Sequence, residues 1–363
     1  MNAPVETSDT LRAPPEGAPR KVVIARPGSY DRLVLERFAP LLPGPDEVVV
    51  DVRASGVNYA DSIVRLGLYA SAKEFVGWPI TPGFEVAGVV RAVGARVTDL
   101  AVGTRVVAVT LFGGYASEVA VARPYVFPIP AGLDFAAAAG FPAVYLTAYY
   151  AVHELAHPRK GARVLVHSAA GGVGGALVQL CKLAGCEVTA VVGAPHKIDT
   201  ARAQGADHVL DKSTAPLWKE AERLAPQGFD VVFDANGVAT LGQSYAHLRP
   251  AGKLVVYGFH SMMKKGGSGR VSWPKLAFDY LRTPRFNPLD MTNDSKSVLA
   301  FNLSYLFDRR DILAEAMERL VGWLEQGDIT APPTKSYPFE RVADAQRALE
   351  SGQTVGKLVL THG

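Results

Sequence analysis

The chain has 363 residues and a formal net charge of +3, with 48% hydrophobic and 20% charged residues. This length favours two domains, the composition is typical of a soluble globular protein, and so small a charge does not indicate a nucleic-acid partner. Two cysteines, Cys181 and Cys186, are too few for a disulfide framework and favour a cytoplasmic location.

The first 20 residues are rich in proline and small polar residues, which predicts a disordered leader. This segment has no apolar core of a secretory signal, and its acidic residues are unusual for a mitochondrial presequence. The sequence also has no run of about 18 apolar residues, the length of a membrane-spanning helix. We therefore expect a soluble protein in the cytoplasm.

From residue 21 the chain shows short β-branched runs separated by Gly and Pro: KVVIA, EVVVDVRASGV, EVAGVVRAVG and TRVVAVT. This pattern predicts a β-rich domain with a barrel-like or strongly curved sheet. An alanine- and aromatic-rich helical stretch follows, LDFAAAAGFPAVYLTAYYAVHELAH.

The pattern then changes to apolar strands that alternate with helices, and the strands are RVLVHS, EVTAVV, DVVFDA and KLVVYG. Such alternation predicts a doubly wound parallel sheet with helices on both faces. We assign residues 148–290 to this domain and residues 21–147 and 291–363 to the β-rich domain. The last strand, KLVL, is expected to return to the first domain after an amphipathic helix, DILAEAMERLVGWLEQGDI.

Residues 260–295 interrupt the alternation with basic, glycine, proline and aromatic residues. We interpret this excursion as a loop or helical lid over the active cleft. A dimer element, or a surface that contacts a membrane or partner, is the alternative.

A glycine-rich segment, SAAGGVGG, lies between a predicted strand and a predicted helix. It matches the dinucleotide-binding pattern G-x-G-x-x-G except that Ala169 replaces the first glycine. In that pattern the second glycine lets the backbone approach a pyrophosphate, and the third lets the helix pack against the strand. The helix N-terminus attracts phosphate. The segment therefore predicts a cofactor loop made of Ala170, Gly171, Gly172, Val173 and Gly174.

The end of the next predicted strand bears on the choice of cofactor. An acidic residue there would bind the ribose hydroxyl of NADH, but the sequence from Val191 to Lys197 has none. Gly193, in this region, is a candidate cofactor contact, and Lys197 and Lys212 can meet a 2′-phosphate, with His196 as a further candidate. This favours NADPH, and the alternative is that the lysines are solvated surface residues.

With the loop in place, the chain resembles the zinc-independent quinone oxidoreductase branch of the medium-chain dehydrogenase/reductase superfamily. The resemblance covers nearly everything from residue 21 onward and is closest to the vesicle amine transport protein homologues. It rests on these segments: GVNYADSIVRLGLY, TPGFEVAGVV, GGYASEVAV, LTAYYAV, VLVHSAAGGVG, GADHVLD and VGKLVL. In that branch an alanine-first loop is usual.

The resemblance implies a Rossmann cofactor domain, a GroES-like barrel domain and chemistry without a metal. The positions of the zinc ligands of related alcohol dehydrogenases read GVNYAD and Gly83-Phe84-Glu85. The resemblance also implies a catalytic role for Asn58, beside the nicotinamide, and for Asp61 and Tyr69, near the cleft mouth with Arg65. Asn58 could alternatively be a turn residue with only a backbone role.

Ile63 occupies a position where relatives often have tyrosine, which leaves Tyr59, Tyr69 or water as the proton donor. The resemblance places Thr147 near the nicotinamide, unless its hydroxyl binds its own helix. Asn236, at the sheet's carboxyl edge, is expected to contact the cofactor. Further expected cofactor contacts, for which core packing is the alternative in the case of the aromatic residues, are Tyr257, Phe301, Leu303 and Lys357.

These features predict an NADPH-dependent reductase that transfers hydride to an apolar quinone or α,β-unsaturated carbonyl compound. An enoyl reductase acting on a polyketide-like or acyl thioester substrate is one alternative. A weakly catalytic NADPH-binding protein at membrane surfaces is another, motivated by the segment KKGGSGRVSWPK. Relatives commonly pair through an edge strand of the Rossmann sheet, so we expect a homodimer formed through KLVVYGF.

Overall fold

The computed structural model describes residues 16–262 and 269–363. Most of the predicted leader and part of the excursion lie outside the described residues. The strands are β1 (Arg20–Val23), β2 (Val34–Arg37), β3 (Glu47–Val57), β4 (Glu85–Val93), β5 (Arg105–Val109), β6 (Glu118–Ala122), β7 (Val126–Pro128), β8 (Arg163–Val166), β9 (Glu187–Val192), β10 (His208–Asp211), β11 (Phe229–Asp234), β12 (Leu248–Val256), β13 (Ser297–Ala300), β14 (Thr334–Pro338) and β15 (Lys357–Thr361).

The helices alternate with the strands mainly in the second half of the chain. They are α1 (Tyr59–Arg65), α2 (Ala70–Phe75), α3 (Phe135–Ala139), α4 (Pro142–Tyr149), α5 (Gly172–Leu183), α6 (Ile198–Ala203), α7 (Leu217–Leu224), α8 (Leu241–Ala246), α9 (Trp273–Arg282), α10 (Pro288–Asp294), α11 (Arg310–Gln326) and α12 (Val342–Glu350). A π-helical segment, Tyr150–Ala156, continues α4.

The first large sheet is built around β3, a long and mostly buried strand rich in valine. β3 pairs antiparallel with β4, β6 and β15, and β4 continues the sheet through β5 to β7. The C-terminal strand β15 therefore returns to the sheet of the N-terminal half, as the sequence predicted. This pairing brings the last residues of the chain next to the N-terminus of α1, which follows β3 directly.

The second sheet is parallel throughout, in the order β10-β9-β8-β11-β12-β13. Strands β8 and β9 are buried almost throughout, which fits a sheet covered on both faces. The predicted parallel sheet is thus confirmed. The carboxyl ends of β8, β9 and β11 meet at one edge, where such sheets bind their ligands.

The edge of this sheet differs from the prediction. KLVVYGF was expected to be an edge strand, but its first four residues, 253–256, form the end of β12, which pairs with β11 on one side and β13 on the other. The two edge strands are β10 and β13, and β13 lies beyond residue 290, where the sequence placed the end of the cofactor domain. The sequence did not predict β13, because a strand of only four residues gives little periodic signal. The division into domains as a whole stays a prediction.

One continuous hydrophobic core joins the two sheets. It includes Val48 of β3 and Val166 of β8, together with much of α4 and α5. The predicted amphipathic helix is confirmed as α11, whose buried residues recur at helical spacing: Leu313, Ala316, Met317 and Leu320. The two sheets are therefore held together by a common core.

Candidate cofactor and active site

The glycine-rich segment forms the turn from β8 into α5. Ser168 takes the left-handed conformation (φ 54°), whereas Ala169 does not and is fully buried. A methyl group at the first motif position is therefore accommodated without backbone strain. A Cβ on Gly174 would lie 2.2 Å from the Ser168 carbonyl oxygen and 2.8 Å from Ala169 Cα. Gly174 is thus required for the close approach of α5 to the loop.

Gly171, in contrast, is not required by internal packing. It precedes α5 with φ −85°, and a Cβ on it would meet only the Ser168 carbonyl oxygen, at an ordinary 3.4 Å. Space is therefore left in front of the α5 N-terminus, where unpaired N–H groups face outward. Gly172 packs against α4, since a Cβ there would lie 2.8 Å from Val144 Cγ1.

The end of the chain closes one side of this loop. The N–H of Gly356 donates to the Ala170 carbonyl oxygen at 2.8 Å, and Gly356 pairs with Gly171 as an isolated parallel bridge. Val173 is half-buried and packs on the shared core. The predicted loop residues therefore lie together in one turn.

The predicted 2′-phosphate residues divide into two groups. Lys212, which follows β10, lies against Gly193 at the end of β9, with its Cε 3.6 Å from the position of a Gly193 Cβ. Lys197 Nζ donates to the Gly352 carbonyl oxygen at 2.6 Å, and His196 Nε2 lies 3.0 Å from the Gln353 carbonyl oxygen. Lys212 is therefore the lysine beside Gly193 at the strand end, while Lys197 contacts the loop before β15.

Asn236 lies at the end of β11, as predicted. Its Oδ1 accepts from Ser168 Oγ at 3.1 Å, and its backbone N–H donates to Asp234 Oδ1 at 2.7 Å. Asn236 is 8% exposed, and its Nδ2 has no hydrogen-bond partner among the described residues. A buried donor without a partner is unfavourable unless a ligand accepts from it. This amide therefore suits a cofactor at the loop.

Asp234 is supported by a fully buried cluster. Its Oδ2 accepts from Thr240 Oγ1 at 2.6 Å and from Ser244 Oγ at 2.8 Å. His167 Nε2 lies 3.1 Å from Ser244 Oγ, and burial lowers the pKa of His167 to about 4. His167 is therefore neutral at physiological pH. Through Asp234, which accepts from the Asn236 N–H, the cluster stabilises the turn that carries Asn236.

Asn58 lies at the N-terminus of α1, in contact with two charged side chains. Its Nδ2 donates to Glu85 Oε1 at 2.9 Å, and its Oδ1 accepts from Lys357 Nζ. Lys357 Nζ is also 2.6 Å from Glu85 Oε1, and the Ala143 N–H donates to Glu85 Oε2 at 2.7 Å. Asn58 is half-buried, whereas Glu85 and Lys357 are almost completely buried. The Asn58 side chain thus takes part in contacts beyond those of a backbone turn.

Asp61 lies behind Asn58 and is fully buried. Its Oδ2 accepts from the Asn58 N–H at 2.7 Å and from the Tyr115 hydroxyl at 2.9 Å, and its Oδ1 accepts from the Gly83 N–H at 2.9 Å. Burial raises the pKa of Asp61 to about 7, against the opposing effect of these hydrogen bonds. Both carboxylate oxygens are engaged in holding the α1 turn.

Arg65 does not lie at the cleft mouth, which corrects the expectation. Its side chain is fully buried, and its guanidinium donates to Gln346 Oε1 at 2.7 Å, to Glu350 Oε1 at 2.7 Å and to the carbonyl oxygens of Gly28 and Gly269. It connects α1 to α12 and to Gly269 of the excursion. Only guanidinium has donors for so many acceptors, which explains its burial.

Tyr69 links α2 to the segment after β13. Its hydroxyl donates to Asn302 Oδ1 at 2.9 Å and lies 2.9 Å from Ser304 Oγ. Burial raises the pKa of Tyr69, so it is protonated at neutral pH. Tyr59 packs its ring on His260 of the excursion, with 4.2 Å between ring centroids.

The remaining predicted contacts are mainly packing contacts in this structure. Thr147 Oγ1 donates to the Ala143 carbonyl oxygen at 2.7 Å, the helix-internal alternative. Tyr257, Phe301 and Leu303 are half-buried and pack on the shared core, and the Phe301 ring lies 4.9 Å from Tyr150. Their contact with a cofactor stays a prediction.

Sequence reasoning did not assign a role to Glu85 or His167. Glu85 was named only as the last residue of a triplet lacking a zinc ligand, and its one signal was an acidic residue opening an apolar strand. In the described ranges, 16–262 and 269–363, no three or more His, Cys, Asp and Glu residues are grouped so as to hold a metal ion. No helix in the same ranges is both long and apolar enough to cross a membrane.

Comparisons with known proteins agree with this architecture. The family model described as "Alcohol dehydrogenase GroES-like domain" matches residues 44–146, and that described as "Zinc-binding dehydrogenase" matches residues 204–360. The synaptic vesicle membrane protein VAT-1 homolog of Homo sapiens is 33% identical over 346 residues, which cover 95% of this chain and 86% of that protein.

Two solved structures are also similar. Escherichia coli quinone oxidoreductase in complex with NADPH has a TM-score of 0.81 at 26% identity, covering 94% of this chain and 99% of that one. The CurK enoyl reductase has a TM-score of 0.81 at 29% identity, covering 95% and 99%. The predicted fold class, a parallel-sheet cofactor domain with a GroES-like domain, is confirmed.

Proposed function

Because the chain belongs to the medium-chain dehydrogenase/reductase superfamily, in the branch of the VAT-1 homologues, we propose that it is an NADPH-dependent reductase of quinones or α,β-unsaturated carbonyl compounds. One observation carries the proposal. The glycine loop and Asn58 are joined through consecutive residues, Gly356 bonding the loop and Lys357 bonding Asn58. A cofactor held at the loop would therefore lie in the same cleft as a side chain able to bind a carbonyl oxygen.

The residues at the loop fit a dinucleotide. The space in front of Gly171, the N-terminus of α5 and the partnerless Nδ2 of Asn236 together offer donors to an anionic ligand. Lys212 beside Gly193 supplies the charge for a 2′-phosphate, and no acidic residue opposes it at the end of β9. The similarity to a quinone oxidoreductase solved with NADPH supports the same cofactor.

Bound NADPH supplies a hydride for the substrate carbon. The protein's own task is to bind the substrate oxygen and to stabilise the negative charge that develops on it. Asn58 retains one Nδ2 proton for this, because only one is used by Glu85. Asp61, with both carboxylate oxygens engaged, positions Asn58 from behind. We assign Tyr69 to shaping the pocket, because its hydroxyl is used by Asn302 and Ser304.

A turnover assay tests this proposal. Purified protein with NADPH and a panel of quinones and enones should consume NADPH with saturation in the substrate. Replacing Asn58 with alanine should lower kcat by about 100-fold, the size of effect seen when one oxyanion donor is lost. Absence of NADPH consumption above background with every member of the panel would overturn the proposal.

The similarity to an enoyl reductase supports acyl thioesters as a second substrate class. The excursion contacts the segment that carries Asn58, because the His260 ring packs on Tyr59, the residue after Asn58. Simple thioesters with a 2,3 double bond, assayed beside the enones, distinguish the two classes by their kcat/KM values.

Assembly and membrane contact can be tested directly. We propose a homodimer through the exposed edge strand β13, measurable by sedimentation equilibrium. Exposed apolar residues on α9, including Trp273 and Leu281, support the alternative of a protein that acts at membrane surfaces. Flotation with anionic liposomes tests that alternative, and a protein that stays at the bottom of the gradient would remove it. The cytoplasmic location stays a prediction.

A further inference from the structure

The Asn58 amide is held between two charged groups of opposite sign. Its Nδ2 donates to Glu85 Oε1, and its Oδ1 accepts from Lys357 Nζ. An ammonium group can only donate and an ionised carboxylate can only accept. The reversed amide would place N–H groups against the ammonium and an oxygen against the carboxylate. The two charges therefore determine which way the amide points.

Both charged groups are themselves immobilised. Glu85 is fully buried and the Lys357 side chain is 4% exposed, and their charged atoms lie 2.6 Å apart. The second carboxylate oxygen of Glu85 accepts from the Ala143 N–H in the first turn of α4. A buried ion pair that loses one partner leaves an uncompensated charge, so neither side chain can turn away at low cost.

Lys357 also connects Asn58 to the cofactor loop. Its neighbour Gly356 donates to the Ala170 carbonyl oxygen, and Lys357 Cδ lies 3.6 Å from the position of a Cβ on Gly172. The side chain thus runs from the N-terminus of α5 to Asn58. Two consecutive residues therefore contact both parts of the site, Gly356 the cofactor loop and Lys357 the Asn58 amide.

We propose that Glu85 and Lys357 are positioning residues that act through Asn58. They orient its amide so that the remaining Nδ2 proton, and not the amide oxygen, is presented to the substrate oxygen. This inference rests on the proposed function. A reversed amide would place its oxygen against the developing negative charge and would oppose the reaction.

Replacing Glu85 with glutamine tests the orientation. The oxygen of the introduced amide would still be required by the Ala143 N–H, so its NH₂ group would face Asn58 and Lys357, both of which now donate there. Neither orientation of the Asn58 amide would then satisfy both neighbours, because one places its NH₂ against the glutamine NH₂ and the other places it against the Lys357 ammonium, so the amide should lose its single fixed orientation. We expect kcat to fall by about 10- to 100-fold while the Kd for NADPH stays within about 2-fold. Glu118→Gln, at a buried carboxylate paired with Arg91 in the same sheet, is the matched control.

A double-mutant cycle separates positioning from general damage. If Glu85 acts through Asn58, Glu85→Gln should change kcat by less than about 2-fold in an Asn58→Ala background. If the kcat losses of the two single variants multiply in the double variant, the inference is overturned. Turnover by the wild type would in that case still support the proposed function. If Glu85→Gln does not fold, the double variant Glu85→Gln/Lys357→Met is used instead, because it removes both buried charges together.

NMR of the Asn58 side-chain amide tests the same inference without turnover, and so also applies if the wild type is inactive with the substrates tried. With ¹⁵N-asparagine labelling, the Asn58 Nδ2 protons are assigned by their absence in Asn58→Ala. In the wild type one of them should be shifted downfield and protected from exchange by the carboxylate, and Glu85→Gln should abolish both effects. Unchanged Asn58 signals in Glu85→Gln would overturn the inference whatever the activity.

Discussion

Replacing Gly174 with alanine should destabilise the folded protein, whereas the same replacement at Gly171 should weaken cofactor binding and leave the fold intact. The two glycines belong to one loop, lie three residues apart and would receive the same methyl group. The difference comes from what that methyl group meets. At Gly174 it would lie 2.2 Å from the Ser168 carbonyl oxygen, and at Gly171 its closest neighbour is that same oxygen at 3.4 Å.

The magnitudes follow from these distances. Alanine in a helix gains about 1 kcal/mol over glycine, but a contact of 2.2 Å with backbone forces α5 away from β8. Overpacking costs about 1–3 kcal/mol, and a contact this short with backbone belongs at the upper end, so Gly174→Ala should lower the free energy of unfolding by about 2 kcal/mol. Gly171→Ala should change it by less than about 1 kcal/mol, because its φ of −85° suits alanine.

Two assays on both variants check the reasoning. Urea unfolding should separate Gly174→Ala from the wild type and leave Gly171→Ala close to it. Titration with NADPH by fluorescence should show a Kd about 10-fold higher for Gly171→Ala, which corresponds to about 1.4 kcal/mol. The reasoning is refuted if Gly171→Ala binds NADPH like the wild type, or if Gly174→Ala is as stable as the wild type.

Three more outcomes are expected. Lys212→Ala should raise the Kd for NADPH about 10- to 100-fold and leave the Kd for NADH unchanged. Lys197→Ala is the comparison. Equal effects of the two substitutions would contradict the assignment of Lys212 to the 2′-phosphate. The stability that Asp61 contributes should be lost as the pH rises from about 4 to about 7, because burial raises its pKa to about 7 in the folded state, and Asp61→Asn should remove this pH dependence of the free energy of unfolding. Arg65→Met should cost about 3–5 kcal/mol in urea unfolding, because it leaves Glu350 without its buried partner; a cost below about 1 kcal/mol would show that the pair is not needed.

The features of the fold and the site that depend on local patterns could be predicted from the sequence alone. Alternating apolar strands and helices predicted the parallel sheet, because a strand covered on both faces must be apolar throughout. The glycine spacing located the turn before α5, because a close backbone approach requires the absence of a side chain at Gly174. The missing acidic residue after β9 is also a local feature, and it bears on the choice between NADPH and NADH.

Only the tertiary structure decided which distant side chains meet. Asn58 and Lys357 are 299 residues apart, and their contact follows from the pairing of β15 with β3, which no local period specifies. The same holds for Arg65, which the resemblance placed near the cleft mouth and which its partners on α12 place in the interior. Periodicity in a sequence reports which face of an element is buried, but it does not report which element covers that face. For this protein the cofactor loop could be located from the sequence, and the charged pair that orients Asn58 required the fold.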